Sequence, residues 1–362
     1  MFHRNRPKKI FSKKRSGRLP VSLVVVGLLA LLFFLVPIYR PEEITIPVTF
    51  TPLPTRTVPA TPPPPPTYTP APLPTGLHGG RIIFTCTRGD YNHLCMVNQD
   101  GSGLLRLTDE FANDYYPAFS PLGGAIAFAS NRSLGTFDLY FMVLSTSSTI
   151  QLTNEIGNAF SPDFSPDGER VVFANRVEQG QTSLWIVDRT GKNLRLLYEG
   201  PNYAGPTSIV GAAWSPDGQT IAFAMSTTQL FEYDIFLVNA DDAISTRSST
   251  AGGTQARQLN TGLLGITGSL DWSPDGKSLL ISAGPPGDKD IFLLNLAANT
   301  ILRLTNGGNN NSPAWSPDGQ RVAYNSLRNG GQADIYIIRA DGSDERQLTD
   351  DPEPDWQPQW EP

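Results

Sequence analysis

Cysteines, arginines and aromatics beside amides are the side chains best placed to do chemistry. The chain has 2 cysteines, Cys86 and Cys95, flanking the loop GDYN. If that hairpin pairs Thr87 with Leu94, the two thiols stand opposite each other. They could then form a disulfide, but only in the narrower pairing geometry. Two free buried thiols are the alternative. There is no CxxC spacing, so a redox role does not follow. Arg88, Arg132, Arg176 and Arg328 recur at one loop position. They read either as a partial basic ring that attracts an anion, or as structural ion pairs with Asp residues such as Asp138 or Asp334. Asp114, Tyr115, Tyr116, Asn158, Phe160, Tyr203, Asn310, Asn311 and Trp356 lie in or beside the loops between repeats. Aromatics next to amides suit a peptide, a glycan or a protein loop; ordinary packing is the alternative.

Catalysis finds little to work with. There is no GxSxG elbow. Of 3 histidines, only His78 and His93 lie beyond the N-terminal basic stretch. Asp167, Asp217, Asp275 and Asp318 recur in turns and cannot converge on one ion. No metal and no cofactor is implied, and the chain reads as a non-enzyme.

A repeat must position these residues. An aromatic followed by SPDG occurs at Phe164, Trp214, Trp272 and Trp315, with FSPLGG at Phe119 as a degenerate copy. Nine residues after each aromatic an apolar triplet ends, at Phe128, Phe173, Phe223, Ile281 and Tyr324. A strand ending at Tyr140, Trp185, Phe236, Phe292 or Tyr336 follows, usually D-[IL]-aromatic, then a Leu, usually before Thr. The period is 44–45 residues where nothing is inserted.

Pro, Asp and Gly in the SPDG tetrads are tight-turn chemistry. The segments between them are short, alternating and rich in β-branched and aromatic residues. Each unit is therefore four antiparallel strands, which cannot bury both faces alone. Radial stacking does bury them, giving an all-β, six-bladed propeller. The recurring aromatic then packs between blades. The first unit lacks its leading strand, and Pro358-Gln359-Trp360 matches Pro313-Ala314-Trp315. The C-terminal segment is therefore expected to supply the innermost strand of blade one. Loops between blades, and between the second and third strands, share one face at the channel mouth. These loops vary, and variable loops on a rigid scaffold usually carry binding.

The pattern PxWSPDGxxIAFxSxRxGxxDIYxxxxDGSxxxxLT, over roughly residues 77–362, resembles the WD40-like propeller repeat of the TolB family. Related blades gate prolyl-oligopeptidase-type enzymes, whose α/β-hydrolase domain has no counterpart here. TolB proteins carry an α/β domain before the propeller, and here other segments stand in its place.

Those segments explain the charge. Residues 1–18 carry eight basic side chains and no acidic one, whereas residues 77–362 carry 18 basic and 32 acidic. An acidic body repels phosphate, which argues against nucleic acid as a partner. Leu19–Tyr39 is uncharged and apolar, long enough for one transmembrane helix. The basic flank places residues 1–18 in the cytoplasm and the propeller outside. Residues 40–76 are rich in Pro and Thr and read as an extended linker. The expectation is a single-pass, signal-anchored scaffold whose partner is another envelope protein, a peptide or a glycan. The alternatives are a histidine-independent glycan hydrolase or lyase at the channel mouth, and a spacer that binds nothing.

Overall fold

The computed structural model describes residues 80–362 apart from 134, 178–179, 201–207, 227–231 and 242–255. Residues 1–79, which include the basic tail, the expected transmembrane span and the Pro-rich segment, lie outside the described residues, as do Tyr203 and most of the Ser-, Thr- and Gly-rich stretch 241–255. Among the described residues no helix is long and apolar enough to cross a membrane.

The SPDG tetrads fold as their chemistry requires. The Asp167 carboxylate accepts from the Ser165 hydroxyl and from the Glu169 amide, and Gly168 takes φ +71°. The same pattern recurs at Ser215, Ser273 and Ser316. Each tetrad reverses the chain between an innermost strand and the apolar triplet strand.

The strands form six antiparallel sheets of four. Innermost strands are Asp114–Phe119, Asn158–Phe164, Ser208–Trp214, Leu270–Trp272 and Asn311–Trp315 in blades two to six. Blade one takes its innermost strand, Asp355–Trp360, from the far end of the chain. Ile82 pairs with Trp360 and Cys86 with Asp355.

Every leading aromatic packs against the preceding blade. Trp214 lies among Val172, Leu184 and Ile186 of blade three, and Trp360 among Ala314, Ala323 and Ile335 of blade six. The Leu-Thr motif has a polar task. The Thr153 hydroxyl accepts the Leu139 amide proton at 2.9 Å and donates to Asp138 at 2.8 Å. Thr305 does the same between Ile291 and Asp290. In blades two and five the Asp at the start of the third strand therefore holds the loop that leaves the fourth, which satisfies buried polar groups.

Five innermost strands carry a bulge whose residue stands at positive φ: Tyr116, Ser161, Gly211, Ser312 and Gln357. Each lies three residues before the leading aromatic, and in four of the five a proline follows. One extra residue per strand kinks the chain toward the axis.

Candidate functional site

These kinks form the waist of the central channel. Tyr116, Ser161, Gly211, Ser269, Ser312 and Gln357, one from each blade, enclose a cavity of about 70 Å³. The amide of Tyr116 donates to Gln357 Oε1 at 3.0 Å, which joins blades two and one at this level.

Above the waist, clefts open on the channel-mouth face. One, about 870 Å³, is lined by Tyr233, Leu263, Leu264, Pro285, Pro286 and Lys289 among others. Two more adjoin each other and are richer in aromatic rings; the larger of this pair, about 400 Å³, is lined by Tyr115, Tyr116, Phe137, Asn158, Phe160 and Arg176 among others. Its ring pairs are tilted: Tyr115 to Phe137 at 5.7 Å and 54°, Tyr116 to Phe160 at 6.1 Å and 46°. The smaller, about 230 Å³, holds Tyr115, Asn311, Trp356 and Gln357. Tyr115 and Gln357 belong to both. Five of the residues singled out from sequence therefore share one cleft and three share its neighbour, with Tyr115 common to both.

The others do different work. Asp114 is fully buried and accepts from Arg132 at 3.0 and 3.2 Å. Asn310 is also fully buried; its amide donates to Thr305 Oγ1 and Gly307 O, both at 2.9 Å. Neither can greet a ligand.

The arginines divide as well. Arg88 pairs with Asp355 and Asp351, Arg132 with Asp114 and Glu110, and Arg328 with Glu345. Arg132 also lies over Phe128 and Tyr140, 5.0 and 4.9 Å from the ring centres. These three are structural clamps, but their acids are not the expected Asp138 and Asp334. Asp138 is taken up by Thr153 and Gln151, and Asp334 by Gln347. Arg176 is not equivalent to the other three. It follows Phe173 by three residues, whereas the others follow their aromatic by four. It ends a strand, is exposed, and makes no ion pair among the described residues; its guanidinium lies 5.7 Å from the Phe160 ring centre.

Cys86 and Cys95 form a disulfide with their Cα atoms 5.8 Å apart. The hairpin is tighter than a Thr87–Leu94 pairing: Thr87 pairs with Asn92 and Cys86 with His93, so the bridge is diagonal. Both residues are buried, which makes the bridge a staple of blade one.

Phe137 and Gln357 escaped sequence reasoning. Phe137 directly precedes the Asp of a third strand, and its amide donates to Asn158 Oδ1 at 3.1 Å. Gln357 occupies the bulge position, which a residue-Pro pair three and two places before an aromatic could have marked.

Three carboxylates on innermost strands are displaced from their ordinary range. Burial pushes Asp355 up to about 6, against the Thr349 hydroxyl and the Arg88 charge that pull it down. Burial pushes Asp163 up to about 6, against the amides of Trp214 and Phe164 that pull it down. Burial pushes Asp271 up to about 8; the Trp315 amide opposes this, and the like charge of Asp163 adds to it. The folded state therefore holds protons that the unfolded chain, near 3.8, has already released. Their contribution to stability is complete below the unfolded value and is lost as pH rises through the folded ones. Melting temperature should fall between about pH 5 and about pH 9, and Asp163→Asn with Asp271→Asn should flatten that decline. Thermal melts across the range check this; an equally steep decline in the double variant would refute the assignment. Among the described residues no group of three or more His, Cys, Asp or Glu is placed to hold a metal.

Comparison with known proteins follows the geometry. The family described as "TolB beta propeller domain" matches residues 66–209 and 250–362. A Tol-Pal system protein TolB of Anaeromyxobacter dehalogenans is 32% identical over 89 residues, 25% of this chain and 20% of the relative. An uncharacterized protein of Agrobacterium fabrum is 40% identical over 88 residues, 24% of this chain and 30% of the relative. The matched stretch thus spans under a third of either relative. Among solved structures, TolB from Acinetobacter baumannii superposes with TM-score 0.65 at 22% identity, covering 79% of this chain and 68% of that one. Hydrazine synthase of Kuenenia stuttgartiensis gives 0.60 at 17% identity, covering 79% and 47%. At these identities the likeness is one of fold, and one fold hosts many functions.

Proposed function

The chain belongs to the TolB β-propeller domain family, and from that premise we propose that it is a membrane-anchored binding scaffold of the cell envelope. Residues 19–39 hold it in the membrane, residues 40–76 space it away, and the propeller faces outward. The channel-mouth face holds a protein partner through an extended or looped peptide segment. The observation that carries this reading is the pair of adjoining aromatic clefts on that face, walled by residues from neighbouring blades. Half-exposed rings on a rigid frame offer contact area at low entropic cost. Among the described residues the opposite face presents near-identical SPDG turns, and its cleft of about 290 Å³ holds a single aromatic, Trp315.

Site-specific photo-crosslinking in cells tests this. A benzophenone side chain at Tyr115 should give a discrete adduct, and one at Pro274 in an SPDG turn should not. Adding Tyr116→Ala and Trp356→Ala should remove the adduct. No adduct at Tyr115, or equal adducts at both places, would instead favour a spacer.

A further inference from the structure

The aromatic cleft of about 400 Å³ contains a cation, Arg176, that makes no ion pair among the described residues. Arg88, Arg132 and Arg328 each reach the residue five places before a leading aromatic: Asp355, Asp114 and Asn310. In blade three that place is Ala159, fully buried, which offers no acceptor. Arg176 also sits one residue earlier than its counterparts, three residues after Phe173 where the others stand four after their aromatic. Two departures from the repeat, one on each of two neighbouring strands, together release one guanidinium from the clamp role.

The register then gives it company. Arg176 pairs across the strands with Asn158, so the two side chains share a face, and Phe160 follows on that same face. Asn158 Oδ1 is occupied by the Phe137 amide, while its NH2 has no partner among the described residues. Among the described residues no acidic side chain lines the cleft, although the surrounding domain is strongly acidic. A guanidinium and an amide NH2 beside an apolar box are complementary to a carboxylate next to an apolar side chain.

We propose that Arg176 and Asn158 form a carboxylate clamp, and that the cleft takes an Asp or Glu flanked by an apolar residue on a peptide segment of the partner. This rests on the reading that the channel-mouth face binds a partner. A peptide fits better than a sugar. Pyranose rings stack on open, flat aromatic faces, whereas these rings tilt by 46–54° into a box, and the guanidinium lies over Phe160.

The test uses the full chain in nanodiscs and a phage-displayed random peptide library. Peptides retained by the wild type should be enriched in Asp or Glu beside an aromatic or aliphatic residue. A selected peptide and its Glu→Gln counterpart are then titrated against wild type, Arg176→Gln and Arg176→Lys. On wild type the amide peptide should bind roughly 10- to 100-fold more weakly, as expected for a charge-assisted hydrogen bond. On Arg176→Gln the two peptides should bind alike, and Arg176→Lys should restore part of the difference. Equal losses on wild type and Arg176→Gln would overturn the clamp alone. Retention of no peptide sensitive to Tyr116→Ala would overturn the binding face as well. Preferential retention of a uronate oligosaccharide over every selected peptide would overturn the peptide assignment.

Discussion

Removing residues 353–362 should abolish the cooperative melting of the propeller rather than merely lower its midpoint. The lost segment holds the innermost strand of blade one. Without it the strand Arg81–Arg88 becomes an open edge, and unpaired edges invite association. Trp360 leaves the interface between blades six and one, where it packs on Ala314, Ala323 and Ile335. Emptying such a site costs about 3–5 kcal/mol for a tryptophan alone. Two ion pairs are broken with it. Arg81 loses Glu361, and Arg88 loses Asp355, whose side chain is fully buried. These terms together approach the whole stability of a typical domain, about 5–15 kcal/mol. Calorimetry of residues 77–362 against 77–352 decides the matter. A sharp transition at an unchanged temperature would mean that ring closure contributes nothing.

Gly211→Ala is the largest single-residue effect to expect. Gly211 stands at φ +66° on the innermost strand of blade four. Positive φ alone is not the obstacle. Tyr116, Ser161, Ser312 and Gln357 occupy the same place at φ 50–54° and carry side chains. The obstacle is the neighbouring backbone: a Cβ on Gly211 would lie 1.5 Å from the carbonyl oxygen of Gly268 and 2.7 Å from its carbon. Backbone cannot rotate aside as a side chain can, so blades four and five must part. The cost should reach about 3 kcal/mol or more, at the upper end of overpacking. For a domain of this size that lowers the melting temperature by roughly 6–12 °C. Ser312→Ala, at the equivalent place in blade six, should move it by far less. Equal shifts for the two variants would place the constraint in the φ angle instead of the contact.

Much of the fold was legible because the repeat writes it in local chemistry. Ser-Pro-Asp-Gly closes its turn with its own side chains, so no distant contact is needed to read it. The matching spacing of Trp360 revealed ring closure for the same reason. The candidate site was legible only in part. That Tyr115, Tyr116, Asn158 and Phe160 belong together follows from their places at the starts of neighbouring innermost strands. The fates of Asp114 and Asn310 do not. Their partners, Arg132 and Thr305, come from loops outside the innermost strands, and a bulge in the innermost strands of blades two and six shifts the register by one residue. Arg176 looked like the fourth member of a ring because its place was not counted from the triplet aromatic, which it follows by three residues instead of four. Asp138 looked available because Thr153, which engages it, stands fifteen residues away, on the loop after the fourth strand.

The strand exchange between chain ends also sets a clock. Arg81 meets Glu361 at a sequence separation of 280. At cellular synthesis rates of about 5–20 residues per second, the last strand emerges roughly 15 to 55 s after the first. At the end of that interval blade one is still a three-stranded fragment with its inner edge bare, while blades two to six already have all four strands. The Cys86–Cys95 bridge lies within the one hairpin that has to wait. A chain arrested before its final residues therefore leaves one defined edge open, a ready handle by which quality control could distinguish unfinished copies from finished ones.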